Sequence, residues 1–215
     1  MMKYVELAER LTRLQGDRPM LLVGVDAPGS SGKSTFAERL ALCCGNAQVV
    51  RMDDLQGEGG GQAGPNGWVW GRLEREVIEP LLRGDHARFR VYDWSTRTIG
   101  AVEEVVKPSG IIIVDGLYST RRELRGYYDF RIWVECPFNI KRERALERHA
   151  RTRTSAEIDS WMTEERAYIA RHTPQEHAHL VVSGASELDA LGADAQAWRT
   201  TTFSPGARQG TSAIR

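Results

Sequence analysis

The sequence predicts an α/β protein with a parallel sheet of about five strands and helices on both faces. Short apolar runs of strand length alternate with longer segments of helical periodicity. Runs that are apolar throughout are typical of strands buried on both faces, which favours parallel pairing. The runs that read as strands are residues 20–25, 48–52, 88–92, 111–114, 130–135 and 179–182.

Helical segments separate these runs. Apolar residues recur at helical spacing, or helix-forming residues dominate, in residues 5–14, 33–44, 68–82, 139–150 and 155–170. In alternating α/β chains the ligand site lies beyond the carboxyl ends of the parallel strands. Asp53, Asp93 and Asp115 each follow a predicted strand, and residues 27–34 form a Gly/Ser-rich turn after the first one. We therefore expect all of them at that edge.

The 215 residues are expected to form one domain with a core of about 20–184. We find no internal repeat and no second-domain boundary. Residues 56–67 hold six glycines and one proline, which predicts a mobile loop. The Thr/Ser/Gly-rich tail at 199–215 has no periodicity and is predicted to be loosely held.

Composition restricts the partners and the compartment. The formal net charge is zero, so neither nucleic acid nor an anionic membrane is expected as a partner. No apolar run approaches the roughly 20 residues that span a bilayer. The three cysteines are odd in number and two are adjacent, which indicates reduced thiols in a cytoplasmic protein. The sequence leaves open whether the chain forms a homo-oligomer.

The strongest motif is Ala-Pro-Gly-Ser-Ser-Gly-Lys-Ser-Thr at residues 27–35. It matches the Walker A pattern except that Ala27 replaces the first glycine, where a positive φ would strain an alanine. Lys33 would meet the β- and γ-phosphates, and the Ser34 hydroxyl would meet magnesium. The motif predicts a P-loop NTPase fold that binds ATP with Mg²⁺. The residues predicted to bind nucleotide are Pro28, Gly29, Ser30, Ser31, Gly32, Lys33, Ser34 and Thr35.

Carboxylates at two other strand ends are candidates for the chemistry. Asp115 follows a buried strand as a Walker B carboxylate does, which predicts a magnesium ligand. The alternative is an ordinary Asp-Gly turn formed with Gly116. Asp53 and Asp54 follow the second strand, where a carboxylate could accept the proton of an attacking hydroxyl or join the magnesium shell. They could equally be a helix cap or solvated loop residues.

Taken together, the motifs resemble the uridine kinase branch of the P-loop small-molecule kinases, with relatives in phosphoribulokinase, pantothenate kinase and nicotinamide riboside kinase. The resemblance covers roughly residues 20–184. The segments that carry it are 25–35, 52–54, 91–94, 113–118, 128–134 and 180–184, together with Arg144 and Arg148. It implies that Asp53 is the general base next to the acceptor hydroxyl, and that Tyr92 and Asp93 line the acceptor pocket.

The resemblance also implies a lid of arginines that closes over the phosphates. Arg144, Arg148 and Arg151 are spaced i, i+4, i+7, so they are predicted to share one helix face. Arg148 is then a candidate catalytic residue beside Lys33. The alternative is a solvated, salt-bridged helix, because Glu143 and Glu147 are interleaved with the arginines.

The chain departs from the nucleoside kinases after the Tyr-Asp pair. Those kinases tend to carry a histidine there, whereas this chain has Ser95, Thr96 and Arg97. Arg97 could meet a carboxylate or phosphate on the acceptor, or face water.

The predicted activity is ATP-dependent transfer of the γ-phosphoryl group to a hydroxyl of a small metabolite, a nucleoside or related riboside in particular. One alternative is a nucleoside-monophosphate kinase, since its phosphate acceptor would suit a dense arginine lid. The other is a regulatory ATPase with no small-molecule acceptor. The guanine-specifying Asn-Lys-x-Asp run of GTPases and the Leu-Ser-Gly-Gly signature of ABC ATPases are both absent.

Overall fold

A computed structural model describes residues 4–45, 47–57 and 70–185. Five of its strands form one sheet in the order β2-β5-β1-β6-β7, and every neighbouring pair is parallel. The predicted α/β architecture is confirmed. With strands numbered along the chain, the members of this sheet are β1 (Met20–Asp26), β2 (Gln48–Arg51), β5 (Gly110–Asp115), β6 (Phe130–Glu135) and β7 (Leu180–Ser183).

Helices cover the sheet, and most lie where the periodicity predicts. The α-helices are α1 (Tyr4–Gln15), α2 (Lys33–Cys43), α3 (Trp70–Arg72), α4 (Glu79–Arg83), α5 (Phe138–His149) and α6 (Ser155–His172). A π-helical turn at Leu73–Ile78 joins α3 to α4, and α4 ends at Gly84, whose φ is 86°. Short 3-10 turns lie at Met52–Leu55, Arg125–Tyr127 and Pro174–Glu176.

Two apolar layers sandwich the parallel sheet. Side chains of a strand alternate between its faces, so β1 and β5 contribute to both layers. One layer packs α1 and α2 on the sheet; its members include Leu7, Leu11, Phe36, Leu40, Leu21, Val23, Ile111 and Ile113. The other packs the segment 70–83 on the opposite face; its members include Leu73, Val77, Ile78, Leu81, Leu22, Ile112 and Val114. The continuous apolar runs in the sequence follow from this double burial.

One predicted strand does not belong to the parallel sheet. Residues 88–92 lie in β3 (Ala87–Asp93), which pairs antiparallel with β4 (Thr98–Val106) in a separate hairpin. Ala87 and Phe89 are buried whereas Arg88 and Arg90 are exposed. This period-two alternation is the pattern of a strand with one wet face, so the prediction of a parallel strand here was wrong.

Some sequence-based expectations fall outside the described residues. They are most of the glycine-rich loop (residues 58–67), the first two residues of the helix predicted at 68–82, and the tail at 199–215. Within the described ranges, no helix is both long and apolar enough to cross a membrane.

His179 makes the edge of the sheet sensitive to acid. Its Nδ1 accepts the backbone N–H of Arg131 at 3.0 Å, which requires the neutral ring. Burial, assisted by the Arg131 charge, lowers the pKa of His179 to about 4. Between about pH 6.5 and pH 4, His179 is therefore protonated in the unfolded chain but neutral in the folded chain. The stability contribution of His179 is complete above that window and is lost as the pH falls through it.

Between about pH 7 and about pH 5, we expect the free energy of unfolding of His179→Asn to fall by less than that of the wild-type protein. Asparagine can offer Oδ1 to the Arg131 N–H but does not titrate. Urea denaturation of both proteins at the two pH values measures the difference. If the free energy of unfolding falls equally in the two proteins, His179 is not the source of this acid sensitivity.

Candidate active site

The P-loop leaves the centre of the sheet. It follows β1, which lies between β5 and β6, and it leads into α2 at Lys33. Ser30 and Gly32 adopt left-handed conformations, with φ of 58° and 91°. Ala27 is completely buried and has no positive φ, so the strain expected from an alanine at this position does not arise.

The turn leaves its backbone donors available. The N–H groups of Ser30, Ser31 and Gly32 donate to no acceptor in the described part of the chain. The Ser31 hydroxyl donates to the Pro28 carbonyl at 2.6 Å, which braces the turn from within. The Ser30 hydroxyl is buried with no described partner. Successive free N–H groups at a helix N-terminus form a cradle for a phosphate group.

Asp115 lies beside this cradle at the end of β5. In the sheet it is level with Val25 on β1 and Arg51 on β2. It is 3% exposed, and burial raises its pKa against the opposing effects of the Lys33 charge and the Ser34 hydroxyl. Its Oδ1 is buried with no described hydrogen-bond partner.

The Ser34 hydroxyl and the buried Asp115 carboxylate, which has an unused oxygen, fit a magnesium ion that arrives with the nucleotide. Such magnesium takes one or two carboxylates, phosphate oxygens and waters rather than a protein cage. In keeping with this, the described ranges contain no cluster of three or more His, Cys, Asp or Glu side chains able to hold a metal. Ser34 and Asp115 are the residues that would hold it.

Asp53 and Asp54 lie on the 3-10 turn directly after β2, and they face different neighbours. Asp53 is exposed and lies two residues after Arg51, which is level with Asp115 in the sheet, and the Asp53 charge contributes to the raised pKa of Asp115. Asp54 is half-buried, its pKa is raised chiefly by burial, and its charged neighbours include Arg51 and Glu104 of β4. Its surroundings thus include the hairpin.

Gly116 lets this turn approach the end of β5. A Cβ on Gly116 would overlap the Met52 side chain, and the φ of Gly116 is 159°. The turn that carries Asp53 therefore packs against the end of β5, where Asp115 lies, because residue 116 has no side chain.

The predicted acceptor residues lie on the hairpin rather than at the edge of the parallel sheet. The strand that carries Tyr92 packs against the 52–55 turn. Tyr92 is buried, its ring lies edge-on to Trp94 at 5.1 Å, and its hydroxyl has no described partner.

Asp93 and Arg97 instead shape the hairpin turn. The Asp93 carboxylate accepts the Ser95 N–H at 2.8 Å and the Ser95 hydroxyl at 2.6 Å, and these bonds lower its pKa. Arg97 is exposed, with a φ of 58°, and its N–H donates to the Asp93 carbonyl. The expectation that Asp93 lies at the carboxyl edge of the parallel sheet was wrong, because β3 is not part of that sheet.

The three lid arginines occupy different surroundings. Arg144 donates from Nη1 to the Gly184 carbonyl at 2.7 Å, beside the P-loop. Arg148 is an exposed residue of α5. Arg151 is also exposed, but α5 ends at His149, so the prediction of one helix face shared by all three was wrong. A turn follows at residues 150–152, and α6 then begins at the capping box of Thr154 and Glu157.

The alternative of a solvated, salt-bridged helix agrees with the exposure of Glu143, Glu147 and Arg148, but its salt bridges are not found in the described residues. Glu143 and Glu147 form no ion pair there with the three arginines, and the one ion pair of α5 with a surface carboxylate joins Arg142 to Asp159.

Trp70 lies at the start of α3. The Arg121 guanidinium lies 4.5 Å from its ring centroid, and Arg121 also pairs with Glu123 at 2.7 Å. No local pattern links two residues so far apart in the chain.

Asp26, the last residue of β1, holds three elements together beneath the P-loop. Its Oδ1 accepts the Tyr118 N–H, and its Oδ2 accepts the Thr120 N–H, the Thr120 hydroxyl and the Tyr168 hydroxyl. The shortest of these bonds is 2.6 Å, from Tyr168 on α6. Complete burial raises the pKa of Asp26 to about 6 against the effect of these hydrogen bonds. The sequence marks this residue only as the end of a strand.

We expect Asp26→Ala to lower the free energy of unfolding by about 3 kcal/mol at neutral pH. It leaves four buried donors without an acceptor, and each orphaned group costs about 1–3 kcal/mol, partly offset by the loss of a buried charge. Tyr168→Phe removes a single donor and should cost about 1 kcal/mol. Urea denaturation measures both, and a loss in Tyr168→Phe as large as that in Asp26→Ala would contradict the assignment of a separate cost to each donor.

A family model ties this geometry to known proteins. The model of the phosphoribulokinase / uridine kinase family matches residues 61–190, more than half of the chain. The chain belongs to this family. The predicted family resemblance is confirmed, and the P-loop kinase fold with it.

Solved structures share the fold at low sequence identity. One is a possible uridine kinase from Bacillus stearothermophilus, with a TM-score of 0.62 and 21% identity over 83% of this chain and 96% of that one. A candidate fructose transport system kinase from Silicibacter sp. TM1040 gives 0.63 and 20% over the same shares. A D-glycerate 3-kinase from Cryptococcus neoformans var. grubii gives 0.60 and 12%, over 86% and 94%.

A curated relative matches a shorter stretch. The inorganic pyrophosphatase TTM2 of Arabidopsis thaliana is 28% identical over 120 residues, which are 54% of this chain. The match spans 18% of that protein's length.

Proposed function

We propose that this family member transfers the γ-phosphoryl group of ATP, with Mg²⁺, to a hydroxyl of a small metabolite, and that the acceptor is a nucleoside or related riboside. The observation that carries the proposal is where Lys33, Ser34, Asp53 and Asp115 lie: the first two follow β1, Asp53 follows β2 and Asp115 ends β5, and these three strands are neighbours in the sheet. The four residues are a phosphate cation, a magnesium hydroxyl, a candidate base and a buried carboxylate with an unused oxygen.

Each residue has a role that its position supports. The free N–H groups of Ser30 to Gly32 and the Lys33 ammonium bind and orient the phosphates, and Ser34 and Asp115 hold magnesium. When bound, magnesium neutralises charge on the phosphate oxygens. Asp53, exposed on the side of the P-loop, accepts the proton of the acceptor hydroxyl. Arg144, beside Gly32, and Arg148 and Arg151 add positive charge around the transferred group.

The acceptor would lie between the 52–55 turn and the hairpin. Tyr92 would form a wall of that pocket, with Asp93 and Arg97 at its outer rim. We further propose that residues 1–215 form one kinase domain, since α1 packs on the same sheet to which β7 belongs.

The test is ADP release from Mg-ATP by the purified protein, with uridine, cytidine, other ribosides, pantothenate, small sugars, UMP and CMP as acceptors. We expect stimulation by a hydroxyl acceptor, and mass spectrometry should find its phosphate ester. Stimulation by a monophosphate alone would instead establish a nucleoside-monophosphate kinase. Slow release indifferent to every acceptor would favour a regulatory ATPase.

Two controls complete the assay. Lys33→Ala should abolish release and weaken nucleotide binding, because it removes the main phosphate cation. Phosphate release from inorganic pyrophosphate without ATP asks whether the activity in the Arabidopsis relative's name extends to this chain; turnover of pyrophosphate faster than of ATP would overturn the kinase proposal.

A further inference from the structure

A buried ion pair lies against the outer side of the P-loop. Glu165 of α6 is 1% exposed and the Lys141 side chain of α5 is 6% exposed; Nζ and Oε2 are 2.6 Å apart. The other carboxylate oxygen, Oε1, accepts the backbone N–H of Gly29 at 2.6 Å. Two helices outside the P-loop motif are thus joined to its third residue through one carboxylate.

The P-loop donors are divided between two tasks. Gly29 donates to Glu165, whereas the next three N–H groups, those of Ser30, Ser31 and Gly32, donate to no acceptor in the described part of the chain. The bond to Glu165 anchors the loop and leaves the following donors for an anion. The charge of Glu165 is balanced by Lys141, so the anchor adds no net negative charge beside the phosphate site.

The absence of a side chain at residue 29 is explained by this contact. A Cβ there would lie 2.8 Å from Glu165 Oε1 and 3.0 Å from the Trp161 ring. Trp161, Glu165 and Tyr168 are spaced i, i+4, i+7 on α6, and Tyr168 donates to Asp26 at the base of the loop. One face of α6 therefore lies along the P-loop from Asp26 to Gly29.

We propose that Glu165, its charge balanced by Lys141, is a positioning residue for nucleotide binding, which holds the P-loop in its phosphate-binding conformation through the Gly29 N–H. The inference rests on the proposed function, because it requires nucleotide to bind at this loop. It is distinct from a lid role, since neither side chain reaches solvent.

Two double variants separate the hydrogen bond between Glu165 and Gly29 from the ion pair between Lys141 and Glu165. Lys141→Met with Glu165→Gln and Lys141→Met with Glu165→Ala both remove the buried charges, but only the glutamine keeps an acceptor for the Gly29 N–H. We expect the glutamine variant to bind ATP within about threefold of wild type and the alanine variant to bind about tenfold more weakly, as one lost hydrogen bond predicts. Titration with ATP at matched circular dichroism spectra measures both. Equal ATP affinities in the two folded variants would overturn the proposal.

Amide hydrogen exchange of the wild-type protein tests the contact without any variant. Before ATP is added, the Gly29 N–H should exchange at least about a hundredfold more slowly than those of Ser30 and Ser31. ATP should then protect Ser30 to Gly32 and leave Gly29 unchanged. A Gly29 amide that exchanges as fast as its neighbours, or that loses protection when ATP binds, would show that Glu165 is no anchor. A wild-type protein that binds no ATP would sink the proposed function, while the protection of Gly29 would still report on the contact.

Discussion

Asp53→Asn is expected to lower the turnover number by ~10²–10⁴, the range for a lost general base, and to change ATP affinity by less than about threefold. Asparagine keeps the size of the side chain but cannot take the proton of the acceptor hydroxyl. The family resemblance implies Asp53 as the base, and its charge contributes to the raised pKa of Asp115 beside the P-loop. The measurement is steady-state turnover with the acceptor that the panel identifies, together with an ATP titration.

Asp54→Asn is the matched control. Asp54 lies one residue away on the same 3-10 turn, and Glu104 of the hairpin is among its charged neighbours. We expect its turnover to remain within about tenfold of wild type. If the large loss appears in Asp54→Asn and not in Asp53→Asn, the base is Asp54 and the acceptor lies closer to β4. Small losses in both variants would place the base outside this turn.

The second large effect is expected at Gly184, a residue without a side chain. Gly184 follows β7, and a Cβ there would overlap the Ser31 carbonyl oxygen of the P-loop. That oxygen belongs to the backbone, so it cannot rotate away, and either the P-loop or the end of β7 must move. The Gly184 carbonyl also accepts from Arg144 at 2.7 Å, so the shift would displace that arginine as well. We expect Gly184→Ala to weaken ATP binding by at least about tenfold, since a misplacement of about 1 Å can cost 10²-fold in rate.

Gly126→Ala controls for the general cost of replacing a glycine. Gly126 lies in the 3-10 turn Arg125–Tyr127, and a Cβ there meets no described atom within 4 Å. Its ATP affinity should equal that of wild type. Isothermal titration of both variants decides the matter, and equal ATP affinity in Gly184→Ala and Gly126→Ala would contradict the packing argument.

The hairpin of β3 and β4 changes where acceptor specificity must be sought. Asp93 was expected at the carboxyl edge of the parallel sheet, and Arg97 was expected to meet the acceptor or to face water, but both belong to the turn of a two-stranded ribbon. Tyr92 is the member of this group whose side chain is buried. Specificity is therefore better tested at Tyr92 and at the start of α3, where Trp70 meets Arg121.

The sequence alone was sufficient for the parallel sheet and the position of the P-loop. Strands buried on both faces must be apolar throughout, and a phosphate cradle needs small residues and a lysine at a fixed spacing, so both leave local patterns. The strand ends that carry Asp53 and Asp115 followed from the same patterns, because parallel strands bring their carboxyl ends to one edge. The roles of these residues stay predictions.

Only the tertiary structure decided which distant residues support the loop. Glu165 reaches Gly29 across 136 residues, Tyr168 reaches Asp26 across 142, and Arg144 reaches Gly184 across 40. Such contacts depend on how α5 and α6 pack on the finished sheet. A single buried carboxylate, or a glycine outside a tight turn, leaves no periodic pattern in the sequence from which the contact could be predicted. The sequence pattern also did not predict the pairing of β3 with β4, because a strand's partner is set by the register between two segments rather than by either segment alone.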